Sequence, residues 1–212
     1  MPPLPLPALH ASHAGSWLRE AGGPTRGTGK GEAIMAAADT PHLMLNAPLV
    51  ATRLGYPDLS GLDLLELFAF VHPARFCVPT PKGLAHALGL DEPASDDEVP
   101  ALLQRAAGKL IETCAGDAWP EREGAWSVLQ SLARLRWHWA QAIAPHIRQP
   151  ERAERWLFTR LPEWDEAPER PHAAQVALDP GEVRARLNDL TGDGAEERAG
   201  QHAYATDAAR TF

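Results

Sequence analysis

Few residues of this chain are equipped for chemistry, and their spacing decides what each could do. His10 and His13 lie three apart, close enough to share one helix face as metal ligands. No carboxylate or cysteine stands beside them, and a metal site needs three or four ligands, so solvated or capping histidines are expected and no metal site is assigned. Ser60, Asp63 and His72 have the residue types of a nucleophilic triad. Ser60 lacks the glycine-flanked elbow that exposes a catalytic serine, so the three read as neighbours on adjacent turns. Residues 23–31, GPTRGTGKG, invite comparison with the GxxxxGK[ST] loop that cradles phosphates. Pro24 occupies the place of the first glycine, and Gly31 follows Lys30 where a hydroxyl would hold magnesium. A flexible loop is expected there, and no catalytic residue is assigned.

Cys77 and Cys114 have no neighbouring histidine and read as small buried thiols. His138 and His146 lack partners and read as packing or surface residues. Trp119, Trp126, Trp137, Trp139, Trp156 and Trp164 all fall in the second half of the chain. Several follow an apolar helical stripe, which favours core, because large rings are costly to leave exposed. Arg134, Arg136, Arg148, Arg152, Arg155 and Arg160 interleave with them, so a path for a single DNA strand, with bases stacked on the rings, stays open. These arginines are the DNA-contact candidates.

The 212 residues carry 20 Lys and Arg against 28 Asp and Glu, a formal charge of -8. Such a balance argues against a stand-alone, non-specific nucleic-acid binder. Two cysteines cannot frame a secreted disulfide fold, the proline-interrupted MPPLPLPALH is no signal peptide, and charges break every apolar run short of the ~20 residues of a membrane span. A cytoplasmic protein with no membrane partner is expected.

Residues 7–20 read as one short extended stretch, 31–39 as a helix and 42–45 as a buried strand. Helices are expected over 62–71, over 80–88 between Thr80-Pro81 and Gly89, from Ser95 to Cys114, over 122–144 and over 150–160. The stretch 163–178, rich in proline and acid, reads as a linker. Asp179-Pro180-Gly181-Glu182 opens another helix, and a last one runs through 196–212. The expected class is α/β and mostly helical, divided into 1–92, 93–162, the linker 163–178 and 179–212.

Residues 42–54, HLMLNAPLVATRL, 62–71, LDLLELFAFV, and 80–90, TPKGLAHALGL, are similar in order to segments of DEDD-type 3'-5' exonuclease domains. The resemblance implies a reduced ribonuclease-H-like layer followed by a helical region. It also implies Asp-x-Glu on the first strand and two later aspartates, which together hold two divalent metals. Here residues 7–19 contain no acid, Leu45 replaces a histidine beside Asn46, the second acid falls at Val50 or Ala51, and the nearest match to the third region is Glu123-Gly124-Ala125. A degenerate domain without nuclease activity is expected. Residues 196–212 resemble the Arg-x-Gly-Gln segment that opens the motor of DinG-type ATP-dependent DNA helicases, XPD-related members of superfamily 2, through Arg198, Gly200 and Gln201. In that family the glutamine recognises adenine, so Arg198 and Gln201 become nucleotide-binding candidates by resemblance. The combined resemblance implies the N-terminal accessory part of such a helicase. It would dock on the motor in cis or guide a DNA strand, with ATP and magnesium bound only by a full-length parent and no cofactor held by this chain. The alternatives are a helical protein-interaction module that does not act on nucleic acid, and a nuclease using displaced acids such as Asp63 and Glu66.

Overall fold

The computed structural model describes residues 6–151, 179–191 and 199–211. Contacts divide the chain into two units, Met1–Pro162 and Glu163–Phe212. In the first unit, β1 (Ala8–Ala11) and β2 (Ser16–Arg19) form an antiparallel hairpin rather than one extended stretch. Ser12 closes the turn: its N–H donates to the Gly15 carbonyl at 2.8 Å, and its hydroxyl accepts from the Ala14 N–H at 2.9 Å. The loop expected at 23–31 is corrected, because Thr25–Thr28 forms a third strand, β3, antiparallel to β2. An edge strand needs only its backbone for the ladder, and with no buried side chain in β3 no hydrophobic alternation announces it.

The helix α1 (Lys30–Asp39) leads to β4 (Leu43–Met44), parallel to β1. Then α2 (Ala47–Leu54) leads to β5 (Leu62–Asp63), parallel to β4, and the sheet order is β3-β2-β1-β4-β5. The helix expected over 62–71 therefore starts two residues later, as α3 (Leu64–Val71). Gly61 permits the approach of β5, since a Cβ there would lie 2.9 Å from both the His42 carbonyl and the Met44 side chain. Next come α4 (Pro81–Leu88) and, after a 3-10 turn at Asp96–Glu98, the long helix α5 (Val99–Ala115). The Thr80 hydroxyl accepts from the Gly83 N–H at 3.0 Å, and Gly89 ends α4 at φ 61°, as the cap residues specify. The class expected from the sequence is the class observed: α/β and mostly helical, with a small five-stranded mixed sheet followed by helices.

The two-residue alternation of the strands sorts the core. Leu9, Ala11, Leu18 and Met44 face α1 and α2, while Ala8, Leu43 and Leu62 face α3, α4 and α5. Leu103, Ala106 and Leu110 of α5 are fully buried on that second face, each leucine contributing about 2 kcal/mol by leaving water. One core therefore runs continuously from β1 past residue 92 to Ile147. Gln104 ties α5 to the start of β1 and the end of β2: its amide donates to the Leu6 and Glu20 carbonyls at 2.9 and 3.1 Å, and its oxygen accepts from Arg19 Nε at 2.8 Å.

The single helix expected over 122–144 is broken. It is α6 (Ala125–Arg134), then a reversal, then the short α7 (Ala140–Ile143). Arg136 adopts φ 61°, its N–H donates to the Ala133 carbonyl at 3.0 Å, and the Trp137 N–H donates to the Leu132 carbonyl at 3.0 Å. That pair of bonds is a Schellman stop with arginine at the position that usually requires glycine, so no sequence signal marks it. The break carries Trp139 into the core at 0% exposure, where its Nε1 donates to the Asp63 carbonyl at 2.7 Å. Trp119 is also buried, whereas Trp126 and Trp137 are half-buried, and Trp156 and Trp164 lie outside the described residues.

In the second unit α8 (Pro180–Thr191) packs against α9 (Ala199–Thr211). Asp179 caps α8, its carboxylate accepting from the Glu182 N–H at 2.9 Å. The expected helix over 150–160 and the linker 163–178 lie outside the described residues, apart from residues 150 and 151, which are not helical. Among the described residues no helix is long and apolar enough to cross a membrane.

An L-residue held in the left-handed region costs about 1–2 kcal/mol relative to glycine. Arg136→Gly is therefore expected to raise the stability of the chain by about 0.5–1 kcal/mol. Urea unfolding followed by tryptophan fluorescence reads this directly, and a loss of stability would contradict the assigned turn.

Candidate functional site

The strand alternation that places Ala8 against α5 places His10 on the same face, and the 3-10 turn leading into α5 brings Asp96 to it. His10 Nε2 lies 3.5 Å from Asp96 Oδ1, within ion-pair reach but without a hydrogen bond, and the Ser12 hydroxyl donates to Asp96 Oδ2 at 2.5 Å. From α2, Arg53 Nη1 donates to the Ala11 carbonyl at 2.7 Å, while its buried Nε has no partner. The Trp17 ring stacks on His10 with centroids 5.8 Å apart. His10 is buried, not solvated as expected, while His13 is exposed. Burial is the main force holding the His10 pKa below its ordinary value, Arg53 adds to it, and Asp96 opposes both.

A second carboxylate, Asp63, is buried and fully engaged. It accepts from the Ala47 N–H at 2.7 Å, the Leu65 N–H at 2.9 Å and the Asn46 N–H at 3.1 Å, so one side chain caps the starts of α2 and α3. None of these bonds reaches Ser60 or His72, and the triad residues are not brought together. Glu66, on the next turn, is exposed and accepts from Trp137 Nε1 at 2.9 Å. Val50 and Ala51, where the exonuclease resemblance puts its second acid, are both 2% exposed in the apolar core.

The donor set at the end of β1 does not fit a pair of divalent metals. Two-metal hydrolysis needs several carboxylates around ions ~3.5–4 Å apart. This strand end offers one carboxylate, a buried histidine and a serine hydroxyl, and among the described residues no group of three or more His, Cys, Asp or Glu is arranged to hold a metal. The acid that approaches the strand is Asp96, not Glu123, which is exposed beside Gly124 at the N-terminus of α6. Sequence reading missed Asp96 because its partner Ser12 stands 84 residues away.

The DNA-contact candidates are only partly described. Arg134, Arg136 and Arg148 are exposed, the first with Nη2 donating to the Ser131 hydroxyl at 3.1 Å, while Arg152, Arg155 and Arg160 lie outside the described residues. Of the adenine candidates, Gln201 is exposed on α9 and Arg198 lies outside the described residues. Burial raises the Cys77 thiol pKa and pushes that of Cys114 up to about 12, so both are poor nucleophiles. Comparisons with protein-family models, with curated proteins and with solved structures give no match for this chain.

Because burial lowers the His10 pKa, the unfolded chain binds the extra proton first as pH falls through the ordinary histidine value of 6.5. The fold should therefore be fully stable above that pH and lose stability below it, and His10→Gln should flatten the loss. NMR titration of the imidazole should give a midpoint below 6.5 that falls further in Asp96→Asn, which removes the opposing charge. A midpoint that rises in that variant would contradict the assigned contact.

Proposed function

We propose that this chain is the N-terminal accessory part of an ATP-dependent DNA helicase, without ATPase or nuclease activity of its own, that docks on the motor or helps guide a DNA strand. The observation that carries this reading is the state of the carboxylates in the nuclease-like layer. Asp96 is bonded by Ser12 and faces the buried His10, and Asp63 is occupied by three backbone N–H groups. A layer built this way is suited to scaffolding. The order of the two resemblances, exonuclease-like and then motor-like, supports a position ahead of a motor, with ATP and magnesium belonging to the full-length parent.

The alternative, a protein-interaction module that does not act on nucleic acid, is favoured by the acidic balance of -8. Fluorescence anisotropy with a labelled single-stranded oligonucleotide separates the two. Strand guidance predicts binding that weakens with salt, and Arg134→Ala/Arg136→Ala/Arg148→Ala should lower the slope of log K against log salt by up to about 2, since each lost phosphate contact removes about 0.7. Weak binding indifferent to salt and to this variant would favour the alternative. With manganese present the oligonucleotide should stay full length. Shortening that is lost on Asp63→Ala would revive the displaced-acid nuclease.

A further inference from the structure

Between α3 and α4 the chain makes a turn that keeps apolar side chains in water. Ala74 sits in the left-handed region at φ 62°, the Arg75 N–H donates to the His72 carbonyl at 3.2 Å, and Arg75 Nη2 donates to the Ala87 carbonyl in the last turn of α4 at 2.8 Å. The other end is pinned as well. The Thr80 N–H donates to the Val78 carbonyl at 2.7 Å, and Val78 lies so close to α4 that a Cβ on Gly83 would strike its carbonyl and come within 2.6 Å of its own Cβ. A left-handed alanine and a helical glycine are both unfavourable choices that this one shape requires. Held this way, Phe76 is 81% exposed and Val78 46%. Two neighbouring apolar side chains fixed in water present a contact surface with little left to order on binding.

The hollow beside them, about 560 Å³, follows one face of α4 and is lined also by Arg75, Lys82, His86 and Glu92. Among the described residues Arg75 has no carboxylate within ion-pair distance, and Lys82 Nζ comes only to 4.0 Å from Glu92, with both of those side chains more than half exposed. So exposed a pair contributes little, and positive charge is in excess here in a chain whose total is -8. An occupant must therefore bring carboxylates for the two cations and an apolar side chain for Phe76 and Val78. A nucleic-acid strand supplies anions but continues past the hollow, where the exposed Asp91 and Glu92 repel its further phosphates. We propose that the turn 74–79 and the adjoining face of α4 dock a short acidic segment of a partner protein, which sets glutamate or aspartate against Arg75 and Lys82 and a leucine-type side chain over Phe76 and Val78. The inference rests on this surface alone and stands whether or not the chain belongs to a helicase.

The test is an NMR titration of the isotope-labelled full chain with a peptide of about 12 residues carrying Glu on both sides of a Leu pair, and with a control peptide bearing Gln in place of Glu. The acidic peptide should shift the amide resonances of residues 75–87 and the control should not. Phe76→Ser and Lys82→Glu should each weaken binding about tenfold. Phe76 is exposed, and an acid in the first turn suits the N-terminus of α4, so both variants should unfold at the temperature of the unaltered chain and a loss of binding then reports the surface. Equal binding by both peptides, shifts that map outside 75–87, or affinity unchanged in both variants would overturn the proposal. So would displacement of the peptide by a single-stranded oligonucleotide, or concentration-dependent self-association that Phe76→Ser abolishes, which would make a strand or a second copy of the chain the occupant.

Discussion

Asp63 is the joint on which the first unit depends. Its carboxylate takes the N–H groups that open α2 and α3, and its own carbonyl takes the indole N–H of Trp139, 76 residues further on. A helix start leaves orphan donors, and two such starts meeting beside a short parallel strand would bury several of them. One acceptor-only side chain with two oxygens satisfies both. The same residue therefore fixes where β5 ends, how α2 and α3 diverge, and where the helices beyond α5 are anchored. Leaving those donors unpaired in the interior would cost about 1–3 kcal/mol apiece, more than a single exposed ion pair returns.

With Asp63 committed to the backbone, the strand end at β1 has one carboxylate to work with. Asp96 reaches it only because α5 lies across the sheet, held by its leucines and by Gln104. The resulting His10, Ser12 and Asp96 cluster fastens the start of α5 to the hairpin turn. That strand end therefore serves as a tie between elements far apart in the sequence.

Local signals were legible where a cap or a long amphipathic period exists. Thr80-Pro81 with Gly89, and Asp179-Pro180 with Glu182, set their helices within a residue, and the stripe from Leu102 to Cys114 specified α5. Three features had no local signature. β3 is an edge strand without a buried side chain, β5 is two residues long and merges with the periodicity of α3, and the stop after α6 uses Arg136 in place of glycine. The candidate site was illegible for a different reason: His10 and Ser12 belong to one hairpin and Asp96 to a turn 84 residues from Ser12, so only the packing of α5 on the sheet makes them neighbours. His10 looked solvated because a lone histidine shows nothing of the helix that will cover it.

On this account Asp63 and Asp96 serve the fold and do not hold a metal. Thermal unfolding of the full chain with and without millimolar manganese tests it most directly, because a ligand at a hundred times its Kd stabilises the folded state by about 2.7 kcal/mol. The account predicts the same unfolding temperature in both conditions. A rise with manganese that disappears in Asp63→Asn or Asp96→Asn would contradict it.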